Sequence, residues 1–360
     1  MSLNARFYSL EVAEIRRETP DAVSIRFAVP GALAETFKFE AGQHLTLRAD
    51  IGGQDVRRTY SLCVAPSEGV WRIAVKRMPG GIFSRWANEE LACGQALDVL
   101  PPMGRFVEPE NCPTAPRYVA LAGGSGITPV LSILKNVLET RSDSRFALFY
   151  GNRDTRSIMF LEELAGLKNT YLDRLEVYHV LEDEVEDIVL FNGRLDREKC
   201  GEIFSRLVDV ERTDCFFVCG PGPMMDEVEA ALRVRNVPPE RIRIERFTDS
   251  QLDAGQRARS EALHKAAAGT QLSVILDGRQ TRIEFDSAKS SILDCVQAAG
   301  LPAPYACRGG VCTTCRAKVV RGSVTMMKNY GLTAEEVARG YVLTCQSVPA
   351  SSEVVLSYDD

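Results

Sequence analysis

Cys307, Cys312 and Cys315 stand in the run Tyr305-Ala306-Cys307-Arg308-Gly309-Gly310-Val311-Cys312-Thr313-Thr314-Cys315, and Cys345 lies further on. Three thiols at C-x4-C-x2-C with a distant fourth match the ligand set of a [2Fe-2S] cluster, in which four thiolates converge on two irons. A short loop must then wrap the cluster with its amides facing the sulfurs. Gly309 and Gly310 suit that loop, because glycine adopts positive φ and lets backbone approach closely. Zinc is the first alternative, but structural zinc sites usually show two short knuckles and only Cys312 to Cys315 supplies one. A disulfide pair is the second, and a cytosolic-looking chain argues against it. A cluster carries one electron at a time and makes no product alone, so the rest of the chain should supply a donor and point to an acceptor.

Four other stretches carry residue types suited to that task. Arg58-Thr59-Tyr60-Ser61 offers a guanidinium that can grip phosphate and an aromatic face that can cover a planar ring. Gly80-Gly81-Ile82-Phe83-Ser84 opens a helix, and amides at a helix N-terminus are a ready anion site. Gly124-Ser125-Gly126-Ile127-Thr128-Pro129 departs from G-x-G-x-x-G at its last position, where proline at the first helical turn loses no needed donor. Cys219-Gly220-Pro221 ends an apolar run. Each has a bland reading: alternation on a strand, a turn, a tight strand-to-helix connection, a buried structural thiol. Arg153 and Arg156, after the strand ending at Tyr150, suit the 2′-phosphate of NADPH, whereas Asp154 leaves NADH open. His44, His179 and His264 have no partner at ligand spacing and read as ordinary surface or core residues.

The elements that position these motifs fall into three blocks. At 360 residues the chain has room for two or three domains. From 1 to 113, short strands of period two such as Tyr8–Val12, Val23–Phe27 and His44–Arg48, parted by Pro-Asp, Pro-Gly and Gly-Gly turns, predict a small antiparallel β-barrel. From 114 to 248, the apolar strand Arg117–Ala122, a glycine turn, a helix over Val130–Thr140 and the strand Phe146–Tyr150 predict a βαβ unit and an α/β Rossmann-like domain. Strands Leu175–Val180, Cys215–Cys219 and Arg241–Phe247 and a helix ending near Arg235 complete it. Residues 249 to 268 read as a linker, rich in residues that favour helix. From 269 to 360, a hairpin around Asp277-Gly278, a helix over Ser291–Ala299, the cysteine loop and a last strand Val354–Ser357 form an α+β block.

Composition narrows the partners. The chain is 45% hydrophobic and 26% charged, with a net charge of −6 that gives no general affinity for nucleic acid or anionic membrane. No apolar run is long enough to span a bilayer, and the first residues lack a basic segment followed by an apolar one, which predicts a cytoplasmic protein. Of eleven cysteines, seven remain after the cluster set; Cys219 aside, they read as small core hydrophobes.

Taken together, Arg58-x-Tyr60-Ser61, Gly80-Gly81-x-x-Ser84 and the G-G-x-G-I-T-P and C-G-P stretches resemble the ferredoxin-NADP reductase superfamily, joined to a plant-type ferredoxin of the β-grasp kind. The resemblance implies that Tyr60 packs on a flavin ring, Arg58 neutralises the flavin pyrophosphate together with Gly80, Gly81 and Ser84, and Ser61 hydrogen-bonds near the redox edge. It further implies that Gly124, Gly126, Pro129 and Gly220 hold a nicotinamide dinucleotide, while Thr128 and Cys219 position its ring. Ala41–Leu47, Tyr150–Arg153, Ile244–Phe247, Leu301–Cys307 and Gly340–Gln346 are similar to the reductase subunits of phenylacetyl-CoA 1,2-epoxidase complexes. That likeness implies FAD, a [2Fe-2S] cluster on Cys307, Cys312, Cys315 and Cys345, and a separate di-iron oxygenase as electron acceptor. Reductases of other di-iron or Rieske oxygenases share the cofactor motifs. From other classes, a redox sensor has no need of a nucleotide site, and a zinc-stabilised interaction protein would be colourless.

Overall fold

The structure is a computed structural model that describes residues 6–247 and 254–359. Among the described residues it divides into two compact units, one from Phe7 to Phe247 and one of Arg6 with residues 254–359.

The first unit opens with an antiparallel six-stranded sheet in the order β4-β3-β6-β1-β2-β5. Its strands are β1 (Tyr8–Thr19), β2 (Ala22–Ala28), β3 (His44–Ile51), β4 (Gln54–Ser61), β5 (Trp71–Lys76) and, after helix α1 (Ile82–Glu89), β6 (Ala96–Met103). Alternation puts Leu10, Val12, Ile25, Phe27, Leu45 and Leu47 on one face, all fully buried. The two edges meet where Leu62 bridges Ile73 and the Cys63 amide donates to the Arg72 carbonyl at 2.9 Å, so the sheet closes on itself. Phe83 from α1 packs into the same core.

A parallel five-stranded sheet follows in the order β11-β10-β7-β8-β9. It comprises β7 (Arg117–Gly123), β8 (Arg145–Asn152), β9 (Leu175–Leu181), β10 (Cys215–Cys219) and β11 (Ile242–Glu245), with helices α2 (Ile127–Thr140), α3 (Leu161–Thr170), α4 (Arg197–Arg206) and α5 (Gly222–Val234). The nearly unbroken apolar run of β7 follows from its two covered faces. Tyr118, Ala120 and Ala122 pack into the core that contains α2 and α3, and Val119 and Leu121 into the core that contains α4 and α5. Ser132 of α2 ties the sheet to the barrel, donating to the Val64 carbonyl at 2.6 Å and accepting from the Gly42 amide at 3.1 Å. Lys135, one turn on and 10% exposed, lies between Glu68 of the barrel and Glu163 of α3.

In the second unit, β12 (Gln271–Leu276), β13 (Arg279–Glu284), β14 (Arg316–Arg321), β16 (Tyr341–Leu343) and β18 (Glu353–Ser357) form a mixed sheet, while β15 (Val324–Met326) pairs with β17 (Ser347–Pro349). Asp277 and Gly278 both take positive φ, 53° and 71°, as a two-residue hairpin loop requires. Helix α7 (Ile292–Ala298) is capped by Ser291, whose hydroxyl accepts from the Asp294 amide; the short α8 (Ala334–Ala338) is capped by Thr333. The expected linker holds a helix, α6 (Ala254–Ala266), and its Leu263 packs on the core of this unit. Residues 249–253 of that linker lie outside the described residues.

Candidate functional site

The cysteine loop leaves α7 and runs into β14, which places Cys307, Cys312 and Cys315 at the end of the sheet; Cys345 joins them from the turn after β16, where the Thr344 amide donates to the Cys315 carbonyl. Cys312, Cys315 and Cys345 are buried and Cys307 is half-buried. The thiols meet in two pairs, Cys307 with Cys312 and Cys315 with Cys345. Two neighbouring pairs of thiols are the donor set that two irons sharing four thiolates require, so the residues fit a binuclear cluster.

Backbone amides converge on the Cys307 sulfur, from Gly309 at 3.3 Å and Cys312 at 3.4 Å, and the Cys307 amide reaches the Cys312 sulfur at 3.3 Å. The Cys312 thiol and these amides hold the Cys307 thiol well below its ordinary range, favouring the thiolate that metal ligation requires. Cys312 and Cys315 are pushed up, first by hydrogen bonds to Cys307 and Cys345 and then by burial. Of the two loop glycines only Gly310 has positive φ; the left-handed positions are Arg308, Gly310 and Thr313. Arg308 is held there by its stacking on Tyr305 at 4.4 Å and by the Gln346 amide, which donates to its carbonyl at 2.8 Å.

In the first unit, Arg58, Tyr60 and Ser61 lie on β4 as the sequence suggested. The Tyr60 ring packs on Phe83 of α1 with centroids 5.5 Å apart, and burial pushes its hydroxyl far up, so the phenol stays neutral. Arg58 is exposed, and its guanidinium donates to the Arg57 carbonyl at 2.7 Å. Gly81 caps α1 from outside, and a Cβ there would meet the Ser84 hydroxyl at 2.4 Å. That hydroxyl accepts from the Met78 amide at 3.1 Å, so Ser84 fixes the glycine turn.

The two glycine turns of the parallel sheet interlock backbone to backbone. A Cβ on Gly126 would lie 2.1 Å from the Cys219 carbonyl, and one on Gly220 would lie 3.0 Å from the Gly123 nitrogen. Thr128 donates to the Ser125 carbonyl at 3.0 Å, and Pro129 is buried in the first turn of α2. Cys219 is fully buried, and burial with the nearby Glu245 carboxylate keeps it a thiol.

A pocket of about 900 Å³ lies between the barrel and the parallel sheet, lined by Lys76, Arg77, Gly80, Gly81, Arg153 and Arg156 among others. It joins the two predicted phosphate sites. Asp154 caps the turn after β8, its carboxylate accepting from the Ser157 amide at 2.8 Å. Its charge is thereby engaged within the turn.

Two residues escaped the sequence reading. His44 pairs with Ser61 across β3 and β4, Glu245 pairs with Cys219 across β10 and β11, and His44 Nδ1 lies 3.6 Å from Glu245 Oε1. His44 is 2% exposed and Glu245 6%. Spacing hides the pair because its members come from opposite ends of the unit. Neither imidazole nitrogen, nor Glu245 Oε2, nor the buried Ser61 hydroxyl has a hydrogen-bond partner. Buried polar atoms left open beside Tyr60 fit a polar ring edge such as that of a flavin. His179 and His264 stay outside this site; His264 lies against the Ser260 and Ser290 carbonyls in the second unit.

Three family models match the chain in order: an oxidoreductase FAD-binding domain over 9–107, an oxidoreductase NAD-binding domain over 120–230 and a 2Fe-2S iron-sulfur cluster binding domain over 274–350. The chain is 42% identical over 353 residues to a subunit of the 1,2-phenylacetyl-CoA epoxidase of Escherichia coli K12, covering 98% of each. It is 35% identical to the ferredoxin reductase component of a Rhodococcus rhodochrous 3-ketosteroid-9-alpha-monooxygenase, over 98% of this chain and 97% of that one. Phthalate dioxygenase reductase shares the fold, with a TM-score of 0.61 at 24% identity over 98% of both chains. No helix among the described residues is long and apolar enough to cross a membrane. The chain belongs to the ferredoxin-NADP reductase superfamily, among the oxygenase reductases with a C-terminal ferredoxin domain, and is an NAD(P)H-dependent oxidoreductase that uses FAD and a [2Fe-2S] cluster.

Proposed function

We propose that this protein is the reductase subunit of a phenylacetyl-CoA 1,2-epoxidase, working in the cytoplasm and delivering electrons from NADPH to a di-iron oxygenase. The observation that carries this reading is the 42% identity to a subunit of such an enzyme across 98% of both chains. In this reading residues 1–113 bind FAD, 114–248 bind the nucleotide, 249–268 link, and 269–360 hold the cluster.

The bound FAD supplies the exchange between a two-electron donor and a one-electron carrier. The chain's own residues do the rest. Tyr60 covers the flavin ring, Arg58 offers charge to the pyrophosphate, and Gly80 and Gly81, with the turn that Ser84 holds, present amides to it. Gly124, Gly126 and Gly220 let the nucleotide backbone approach, Pro129 sets the helix start, and Thr128 and Cys219 place the nicotinamide against the flavin edge. His44, the strand partner of Ser61, meets Glu245, the strand partner of Cys219, at 3.6 Å, which supports a meeting of hydride donor and acceptor at this seam, where water would be excluded. Arg153 and Arg156 would take the 2′-phosphate, since the Asp154 carboxylate is engaged in its own turn.

A visible spectrum before and after anaerobic NADPH, then NADH, tests the cofactor part: flavin bands and an iron-sulfur shoulder should bleach faster with NADPH. Mixing the reduced protein with a phenylacetyl-CoA epoxidase oxygenase component and phenylacetyl-CoA tests the partner. Epoxide formation is expected; oxidation by a ketosteroid oxygenase component alone would redirect the assignment.

A further inference from the structure

The pocket between the barrel and the parallel sheet already contains an anion. Asp21, in the turn between β1 and β2, projects its Oδ2 to 3.8 Å from Lys76 Nζ of the barrel and 3.5 Å from an Arg153 guanidinium nitrogen of the opposite wall. The other oxygen, Oδ1, accepts from the Thr19 hydroxyl at 2.7 Å, and the Asp21 carbonyl accepts from the Arg77 amide at 2.7 Å. The side chain is therefore held from both sides and is 22% exposed. The pocket's other carboxylates are turned elsewhere: Asp154 caps its own turn and Glu89 pairs with Arg77 at 3.1 Å. Lys76 Nζ lies 3.7 Å from where a Cβ on Gly124 would stand, which puts Lys76 at the glycine turn as well.

We propose that Asp21 is a resident counter-ion that clasps Arg153 across the pocket mouth and competes with the nucleotide's 2′-phosphate for it. This rests on the reading that Arg153 takes that phosphate. A 2′-phosphate must part Asp21 from Arg153 before it can pair with the guanidinium. A 2′-hydroxyl makes no such demand and leaves the clasp closed. Asp21 therefore weakens binding of the phosphorylated nucleotide selectively and, by the same competition, helps the oxidised product leave. The arginine of the pair is exposed, at 62%, which limits the effect to a modest factor and makes it sensitive to salt.

The test is calorimetric titration of the full-length, cofactor-loaded protein with 2′,5′-ADP and with 5′-AMP, neither of which is a redox partner. Asp21→Asn keeps an oxygen for the Thr19 hydroxyl, so the turn survives; Asp21→Ser is a second variant should it not. The expected result is a gain of about two- to fivefold in 2′,5′-ADP affinity, with 5′-AMP unchanged. The gain should disappear in an Arg153→Gln background and shrink at high salt. Wild-type preference for 2′,5′-ADP with no gain in the Asp21 variants, or a gain equal for both ligands, overturns the clasp alone. Equal affinity of the wild type for both ligands overturns the 2′-phosphate assignment and the clasp with it.

Discussion

Glu245 Oε1 lies 3.6 Å from His44 Nδ1, and the two form a buried ionisable pair that joins the barrel strand carrying Ser61's partner to the sheet strand carrying Cys219's partner. Burying two such groups is costly unless they face a partner, and each is here the other's. Glu245→Gln removes the carboxylate at nearly constant volume and so loosens the seam between the strand beside Ser61 and the strand beside Cys219. Anaerobic bleaching by NADPH is expected to slow about tenfold with FAD retained, because the nucleotide and flavin sites lose their fixed relation. Stopped-flow absorbance and the flavin content of the purified variant check this.

Cys312→Ser removes one thiolate of the Cys307–Cys312 pair and the acceptor of the Cys307 amide. The variant should lose the iron-sulfur absorbance and transfer to the acceptor while its flavin still bleaches with NADPH, because the nucleotide and flavin residues lie in the other unit. Iron content and the flavin spectrum of the purified variant check this directly.

Gly126→Ala tests the interlocked turns. The added Cβ would stand 2.1 Å from the Cys219 carbonyl, and backbone on both sides leaves nothing flexible to give way. A loss of about 2–4 kcal/mol is expected, as for other severe packing clashes. Thermal melting followed by flavin fluorescence should show a lower midpoint, and NADPH bleaching should weaken more than FAD retention. Gly166→Ala, with open space around its Cβ position, is the matching control.

Much of this was legible in the chain and some was not, for physical reasons. β7 and β10 were plain because strands covered on both faces are apolar throughout, and the cysteine spacing was plain because ligation is local. Helices α3 and α4 are not legible: Leu161–Thr170 buries only Leu164, and in Arg197–Arg206 five charged residues of ten mask the short stripe of Cys200, Ile203 and Phe204. His44 read as ordinary because its partner Glu245 is remote in sequence and only the packing of barrel on sheet brings them together. Ser84 illustrates the converse. Its place in the motif was right, and the structure shows that its hydroxyl holds the glycine turn.

The buried thiols predict how stability falls in alkali. Burial raises Cys200 and Cys215 to about 12 from an ordinary 9.0 and pushes Cys63 and Cys219 up as well. The unfolded chain releases these protons above about pH 9, whereas the folded chain keeps them until about pH 12. Stability is therefore whole below pH 9 and declines as pH rises, by about 1.4 kcal/mol per pH unit for each such thiol. Urea unfolding at pH 8, 9 and 10 should show a midpoint that is flat over the first step and drops over the second; Cys200→Ala with Cys215→Ala should flatten the drop.

Docking to the oxygenase can be probed through salt. Residues 270–360 carry nine Lys and Arg against nine Asp and Glu, so the two signs balance. Within this unit several charges are taken up in local pairs, with Arg308 beside Asp294, Arg316 on Glu336 at 3.1 Å and Arg321 on Glu353 at 3.5 Å. A surface so neutralised projects little field beyond a Debye length, and association steered by it should not depend steeply on ionic strength. The rate of acceptor reduction is expected to change by less than about threefold between low and moderate salt, where strongly steered pairs lose far more. A steeper fall, measured with the oxygenase component as acceptor, would instead place the docking charges outside this balanced set.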